Sequence, residues 1–253
     1  MDKLLKTAIK AAKNAEKIIL NYYSEEIKFK LKEDQTPVTL ADIESERIII
    51  KTIKSQFPDH SFLGEEGTEG KVKSDYLWII DPIDGTKNYT RRIPFFGTQL
   101  ALMYQGKLVI GVSNAPALKE LMFAQKGKGA FLNGKKVFVS KINKLNESAA
   151  SFGNLHGFES SGLIKNFLYF ANSVRHERGF GDFWSYHLVA QGKIDTMVEV
   201  GCRIWDIAAV KVIVEEAGGK VTEIDGSPIN LQTTSALATN NILHNKVLKF
   251  FND

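Results

Sequence analysis

The apolar run Trp78-Ile79-Ile80 ends on Asp81-Pro82-Ile83-Asp84-Gly85-Thr86, and no other stretch restricts the fold as tightly. The apolar residues predict a buried strand. Pro82 has no N–H to give a sheet ladder, so the strand is expected to stop near Asp81. Gly85 permits a sharp turn and close approach of a ligand to the backbone. Thr86 then predicts the start of a turn or helix with free N–H groups. Two carboxylates beside exposed amides at a strand end suit a divalent cation and a phosphate together.

Two further acidic motifs share this logic. Glu65-Glu66 lies between Gly64 and Gly67 after the short apolar segment Phe62-Leu63, and Asp206 follows Trp205 where a helix is expected to begin. Taken singly, each has a plain reading: a solvated loop, an ordinary turn, and a helix cap under an aromatic lid. Three such motifs together are harder to explain as three turns. Hard cations take oxygen ligands, and a metal pair about 3.5–4 Å apart needs a bridging carboxylate.

Around these motifs the pattern is mixed. Helical spacing covers residues 3–22 and 39–57, the second stopped by Pro58-Asp59. Strand-like runs follow at 99–104, 107–112, 121–125, 130–132 and 137–139, with Gln105-Gly106 and Asn133-Gly134 as hairpin turns. A polar stretch at 143–147 separates two parts, 1–142 and 143–253. In the second part strands at 149–152, 196–199 and 220–223 interleave with helices at 162–170, 181–190, 206–217 and 243–251. The resulting class is α/β (α+β) in packed layers.

Composition narrows the function classes. The chain has 253 residues, 43% hydrophobic and 25% charged, with a net charge of +4. That charge is too weak and too dispersed to argue for nucleic acid. Lys3, Lys6, Lys10, Lys13 and Lys17 read as the solvated face of the first helix. Cys202 is the sole cysteine, which excludes an internal disulfide and a thiolate zinc site and fits a cytoplasmic location. No apolar run has the length of a membrane span, and residues 2–17 do not read as a signal peptide. The five histidines are scattered without ligand spacing; His187 alone is placed near enough to Asp182 to line a substrate pocket. Arg91-Arg92 reads as a solvated pair.

Gly64-Glu65-Glu66, the stretch from Trp78 to Thr86, Trp205-Asp206-Ile207-Ala208-Ala209 and Glu216-Ala217-Gly218-Gly219 together resemble the inositol monophosphatase family of Mg²⁺-dependent phosphomonoesterases, over nearly the whole chain. The resemblance implies a layered α/β/α/β/α sandwich, with a large antiparallel sheet first, a smaller mixed sheet second and the site between them. It implies two or three Mg²⁺ ions. Glu65, Asp81 and the Ile83 carbonyl would hold the first, and Asp81, Asp84 and Asp206 the second, with Glu65 also touching a third. Thr86 and Asp42 would orient the attacking water, and the amides of Gly85 and Thr86 would receive the phosphate. With no histidine or cysteine in these motifs to act as a covalent nucleophile, an activated water is the natural attacker. Homodimers are the family habit.

The resemblance implies a small alcohol phosphate as substrate. Pro94-Phe95-Phe96-Gly97-Thr98 and Gly181-Asp182-Phe183-Trp184-Ser185-Tyr186 look like the histidinol-phosphate phosphatase branch. Glu199 lies where inositol phosphatases place a glutamate for substrate hydroxyls. Asp182 and Glu199, with Asp84 and Asp206, are the candidate substrate residues, although Asp182 also reads as a plain helix cap. Histidinol phosphate is favoured over inositol 1-phosphate. A fructose bisphosphate would want more basic residues. A non-catalytic phosphate-binding regulator would be marked by a missing ligand, and every expected carboxylate is present.

Overall fold

The computed structural model describes residues 2–25, 27–32, 37–67 and 74–252. Asp2 opens α1 (Lys3–Ser24) by accepting the Leu5 amide at 3.0 Å. Ala8, Ala11, Ala12, Ala15 and Ile19 form its buried stripe. Such small side chains let α1 and α2 approach closely. β1 (Phe29–Leu31) and β2 (Pro37–Thr39) make a two-stranded antiparallel ribbon ahead of α2 (Leu40–Lys54). α2 starts with a capping box: Thr39 and Asp42 satisfy each other's backbone N–H groups.

A seven-stranded sheet follows in chain order. It comprises β3 (Ser61–Gly64), β4 (Tyr76–Asp84), then after the short α3 (Thr86–Thr90) β5 (Gly97–Tyr104), β6 (Lys107–Ala115), β7 (Glu120–Gln125), β8 (Gly129–Leu132) and β9 (Lys135–Val137). β3 and β4 run parallel; the other pairs are antiparallel. Gln105 and Gly106 have φ of 48° and 74°, and Asn133 and Gly134 have 49° and 80°. Positive φ at both central residues is what a type I′ hairpin demands. One expectation fails here. β4 does not stop at Asp81 but continues through Pro82 to Asp84, because a register shift between Asp81 and Asp84 absorbs the missing N–H. The Thr98 hydroxyl donates to the Pro82 carbonyl at 2.9 Å and ties the bulge down.

The second sheet is mixed, in the order β11-β10-β12-β14-β13. Its elements are β10 (Ala149–Phe152), α4 (Leu155–Ser160), α5 (Ile164–Ala171), β11 (His176–Arg178), α6 (Asp182–Ala190), β12 (Thr196–Val200), α7 (Ile204–Glu216), β13 (Lys220–Thr222), β14 (Ser235–Thr239) and α8 (His244–Asn252). α7 begins at Ile204 rather than Asp206. Asp206 sits one turn in, and its Oδ2 accepts the Arg203 amide at 2.6 Å.

Five layers result. Trp78, Ile80, Leu100, Leu102, Ile110 and Val112 face α1 and α2. The alternate residues Leu77, Ile79, Ala101 and Met103 face Ala208 and Ala209 of α7. β4 is therefore covered on both sides, which is why its sequence is a continuous apolar run. α6 and α7 fill the space between the sheets, and α7 is apolar nearly all round for that reason. Phe158, Phe167, Leu243, Val247 and Phe251 of α4, α5 and the α8 region cover the outer face of the second sheet.

α7 lies so close to the large sheet that a Cβ on Gly111 would stand 2.2 Å from the Ala209 carbonyl oxygen. The contact is with backbone, so relief requires moving the helix. Gly111→Ala is expected to destabilise the protein by about 2 kcal/mol, read by urea denaturation. It should also lower activity by shifting Asp206. Unchanged stability would show that α7 has slack against this sheet.

Candidate active site

The parallel pairing of β3 and β4 sets Gly64 opposite Ile80, so the residues that follow, Glu65 and Asp81, emerge side by side. The bulge then turns Ile83 and Asp84 toward the same place. Gly85 takes φ 84°, and a Cβ there would lie 2.7 Å from the Phe95 carbonyl, so the turn requires glycine. α3 starts immediately after it, presenting its first amides. The Thr86 hydroxyl lies 2.8 Å from the Ile83 carbonyl and 3.4 Å from Asp42 Oδ1. α7 brings in Asp206. A cavity of about 230 Å³ is lined by Glu65, Asp81, Ile83, Asp84, Gly85, Thr86, Asp206, Lys87 and Asp182. Every residue expected to hold metal or phosphate is thus on one wall of one cavity, and Asp42 stands behind Thr86.

A second lobe of about 130 Å³ adjoins the first and shares Asp84, Asp182 and Asp206 with it. Its other walls come from Gly153, Asn154, Phe183, Tyr186, Glu199 and Cys202. Asp182 opens α6 with φ 44°, in the left-handed region, and makes no capping bond, which corrects the helix-cap reading. Instead its Oδ2 accepts from Asn88 Nδ2 at 3.0 Å. The next amide, of Phe183, donates to Asp84 Oδ2 at 3.2 Å. Tyr186 donates its hydroxyl to Glu199. His187 does not line this lobe; it is fully buried against β6 and β7. Arg92 donates to the Tyr23 and Glu25 carbonyls.

Electrostatics dominates the cavity. Burial, followed by repulsion from Glu65, Asp84 and Asp206, pushes the Asp81 carboxyl well above the usual range. Burial and the charges of Asp182 and Asp206 do the same to Asp84. Asp206 is raised to about 7, Glu199 to about 8 and Asp42 to about 6, each chiefly by burial. Asp81 Oδ1 is buried with no hydrogen-bond partner, and so are both amide atoms of Gln99, its register neighbour on β5. Acidic oxygens without partners, hard and acceptor-only, fit a hard divalent cation with its waters. Among the described residues no three of these groups stand at the spacing of a closed metal cage. Lys32 forms ion pairs at this acidic wall, 3.0 Å from Glu65 and 2.8 Å from Glu66. Burial opposes its charge, but the bonds to Glu66 and Glu65 outweigh that and raise its pKa.

Lys32, Gln99, Asn88 and Tyr186 were not legible as site residues. Asn88, two residues past Thr86, could have been found from helical proximity to the phosphate turn. The others have no local signal.

The inositol monophosphatase family model matches residues 1–253. A histidinol-phosphatase of Mycobacterium tuberculosis is 37% identical over 232 residues, 90% of this chain and 89% of that one. Human inositol monophosphatase 1 is 32% identical, covering 96% and 91% of the two chains. A Thermotoga maritima IMPase structure superposes with a TM-score of 0.90 at 34% identity, covering 100% of this chain and 97% of the other.

A carboxyl whose pKa is raised by folding keeps its proton in the folded state after the unfolded chain has lost it. Between its usual value near 4 and its raised value, stability therefore falls as pH rises. Asp206, Glu199 and Glu66, raised to about 7, 8 and 7, extend that fall through neutral pH. The depressed histidines act the opposite way only below about pH 6.5. Chelator-treated protein is expected to melt roughly 5 °C lower at pH 8.5 than at pH 6.5. Adding MgCl₂ should raise the melting temperature more at the higher pH. A flat profile insensitive to Mg²⁺ would remove the cation site.

Proposed function

The chain belongs to the inositol monophosphatase family, and from that premise we infer that this phosphoric monoester hydrolase acts, with Mg²⁺, on the phosphate of a small cationic alcohol. Histidinol phosphate is favoured over inositol 1-phosphate. The observation that carries this reading is the composition of the alcohol-side lobe. Asp84, Asp182, Glu199 and Asp206 line it, and among the described residues no lysine, arginine or histidine does. With Asp84 and Asp206 engaged by cations, Asp182 and Glu199 remain for an ammonium or imidazolium. The same lobe disfavours a bisphosphate, since nothing there would neutralise a second phosphate. Relatives named histidinol-phosphatase support the choice.

In the mechanism, Glu65, Asp81, the Ile83 carbonyl, Asp84 and Asp206 would hold the metal ions. When bound, these supply a Lewis acid to the phosphate and acidify water. The first amides of α3, at Gly85 and Thr86, receive phosphate oxygens. The Thr86 hydroxyl, within reach of Asp42 Oδ1, accepts a hydrogen bond from the attacking water and passes its own to Asp42. Asp42, raised to about 6 mainly by burial, is basic enough near neutrality to draw that proton. The Phe183 amide keeps Asp84 turned inward. A second reading, inositol 1-phosphate, rests on Glu199 as an acceptor for substrate hydroxyls.

Two further expectations stand as part of this proposal, the first from kinship and the second from cysteine usage. One is the homodimer. The other is the cytoplasmic location, which a lone buried Cys202 supports. Among the described residues no helix is long and apolar enough to cross a membrane.

Phosphate release should require Mg²⁺ and stop with chelator. Asp81→Asn and Asp206→Asn are each expected to lower kcat about a thousandfold. Assayed at pH 8.5, above the raised value of Glu199, Asp182→Asn and Glu199→Gln should raise KM for histidinol phosphate about tenfold, since each then removes one charge facing the amine. A higher kcat/KM on inositol 1-phosphate would select the second reading. No Mg²⁺-stimulated release from any ester in a broad panel would leave a phosphate-binding regulator.

A further inference from the structure

α6 carries one wall of the alcohol-side lobe, so whatever fixes α6 fixes that wall. Asp182, Phe183 and Tyr186 all belong to it. On its other side, the helix is tied to the large sheet through one buried polar cluster. His187 is fully buried, with Nε2 2.6 Å from Ser113 Oγ on β6 and Nδ1 3.1 Å from Glu120 Oε2 at the start of β7. Trp184 Nε1 donates to the same Glu120 oxygen at 3.3 Å. The Phe183 ring meets the imidazole edge-on at 5.2 Å.

The donors and acceptors assign themselves. Glu120 is held ionised, its pKa lowered first by the His187 bond, so it only accepts. Burial lowers the His187 pKa and favours the neutral ring. Nδ1 must then carry the proton toward Glu120, and Nε2 is left to accept from the Ser113 hydroxyl. Both ring nitrogens are used, and no rotated ring would satisfy both partners. On the side of α6 that faces the large sheet the neighbours are otherwise apolar, Ala115 and Met122, while its opposite side is held by Ser185 to Ser151 and by Tyr186 to Glu199. Apolar contacts tolerate a helix sliding or turning slightly, whereas paired hydrogen bonds at both ends of one ring do not.

We propose that His187, clamped between Ser113 and Glu120, is a positioning residue that sets the rotation of α6 and thereby the selectivity of the alcohol-side lobe. Sequence spacing brings His187 near Asp182, but its action is through the helix rather than on the substrate. The proposal rests on the phosphatase reading and on the lobe being the alcohol site. The phosphate end is built by β3, β4, α3 and α7; the His187 bonds touch none of these, and α6 meets β4 and α3 at its head, through Asp84 and Asn88, more than a turn from His187. Loosening α6 should therefore change choice among esters more than hydrolysis as such.

The test uses the Mg²⁺-loaded enzyme with histidinol phosphate, inositol 1-phosphate and p-nitrophenyl phosphate. The readout is kcat/KM on histidinol phosphate divided by that on p-nitrophenyl phosphate. His187→Phe fills the space without either bond and should lower this ratio about tenfold, mainly through KM. His187→Asn, whose amide nitrogen falls near the Nδ1 position, should recover part of the loss. Glu120→Gln keeps shape at a partly exposed site and should lower the ratio in the same direction. A general loss of folded enzyme moves both substrates alike and leaves the ratio fixed. An unchanged ratio in His187→Phe overturns the clamp. If that variant does not fold, an unchanged ratio in Glu120→Gln overturns it. Wild-type preference for inositol 1-phosphate would instead defeat the substrate reading. The clamp is then judged by the inositol 1-phosphate ratio in the same variants.

Discussion

Carboxylates repel, and this fold gathers them where water cannot screen them. Two unit charges about 4 Å apart interact by roughly 4 kcal/mol at the effective dielectric of a protein interior. Asp81, Asp84 and Asp206 are raised together by burial and by one another's charge. Such a group of acids stays in place only if each is delivered by an element anchored elsewhere. Glu65 follows a strand end, Asp81 and Asp84 sit on a strand bulge, and Asp206 lies in the first turn of a helix gripped between two sheets. None depends on a free loop. The apolar layers provide the force that opposes the repulsion, and the proposed cation would provide the charge that turns it into attraction.

The frame and the site are coupled by the parity of the strands. Residues of β4, β5 and β6 that face α7 include Ile79 and Ala101 in the apolar part of the sheet. Farther along, the same face carries Asp81, Gln99 and Ser113, in register across three strands. The sheet thus changes from apolar to polar along its length without changing its packing partners. At one side of that polar row stand the proposed metal ligands, and at the other stands His187 between Ser113 and Glu120. A one-residue slip would turn the whole row to the α1–α2 face, so the register is fixed by polar and apolar requirements together.

Much of this was legible in the sequence, and what was not has physical causes. The three acidic motifs, the two glycine hairpins and the amphipathic first helix are local signals, and the structure brings those motifs to one cavity. The strand end at Asp81 was misread because proline excludes a ladder bond only where the ladder is regular. The β4 bulge removes that demand. α7 has no amphipathic period, being buried all round, so its start was placed two residues late. The short strands β11 and β14 and the short helix α4 owe their form to neighbours rather than to propensity. Lys32 is separated from Glu65 by a chain reversal that no local pattern announces. His187 was read by spacing alone as a pocket residue. Its partners, Ser113 and Glu120, come from a hairpin 67 and more residues away.

The backbone at the head of α6 bears on substrate choice. Gly181 and Asp182 both take positive φ, 67° and 44°. Glycine does so freely, but an aspartate there stores about 1–2 kcal/mol of local strain. A turn alone would be served by glycine or asparagine. The strain is held in place by the Asn88 bond to the Asp182 carboxylate and by the Phe183 amide on Asp84. Both restraints point toward the turn at Gly85, so the conformation of Asp182 is tied to Asp84 and Asn88, the residues that flank the proposed phosphate site. The alcohol-side charge is thereby placed at a fixed offset from the phosphate. An ester whose cation lies at that offset can engage both ends at once, and one whose cation is displaced must give up one of them.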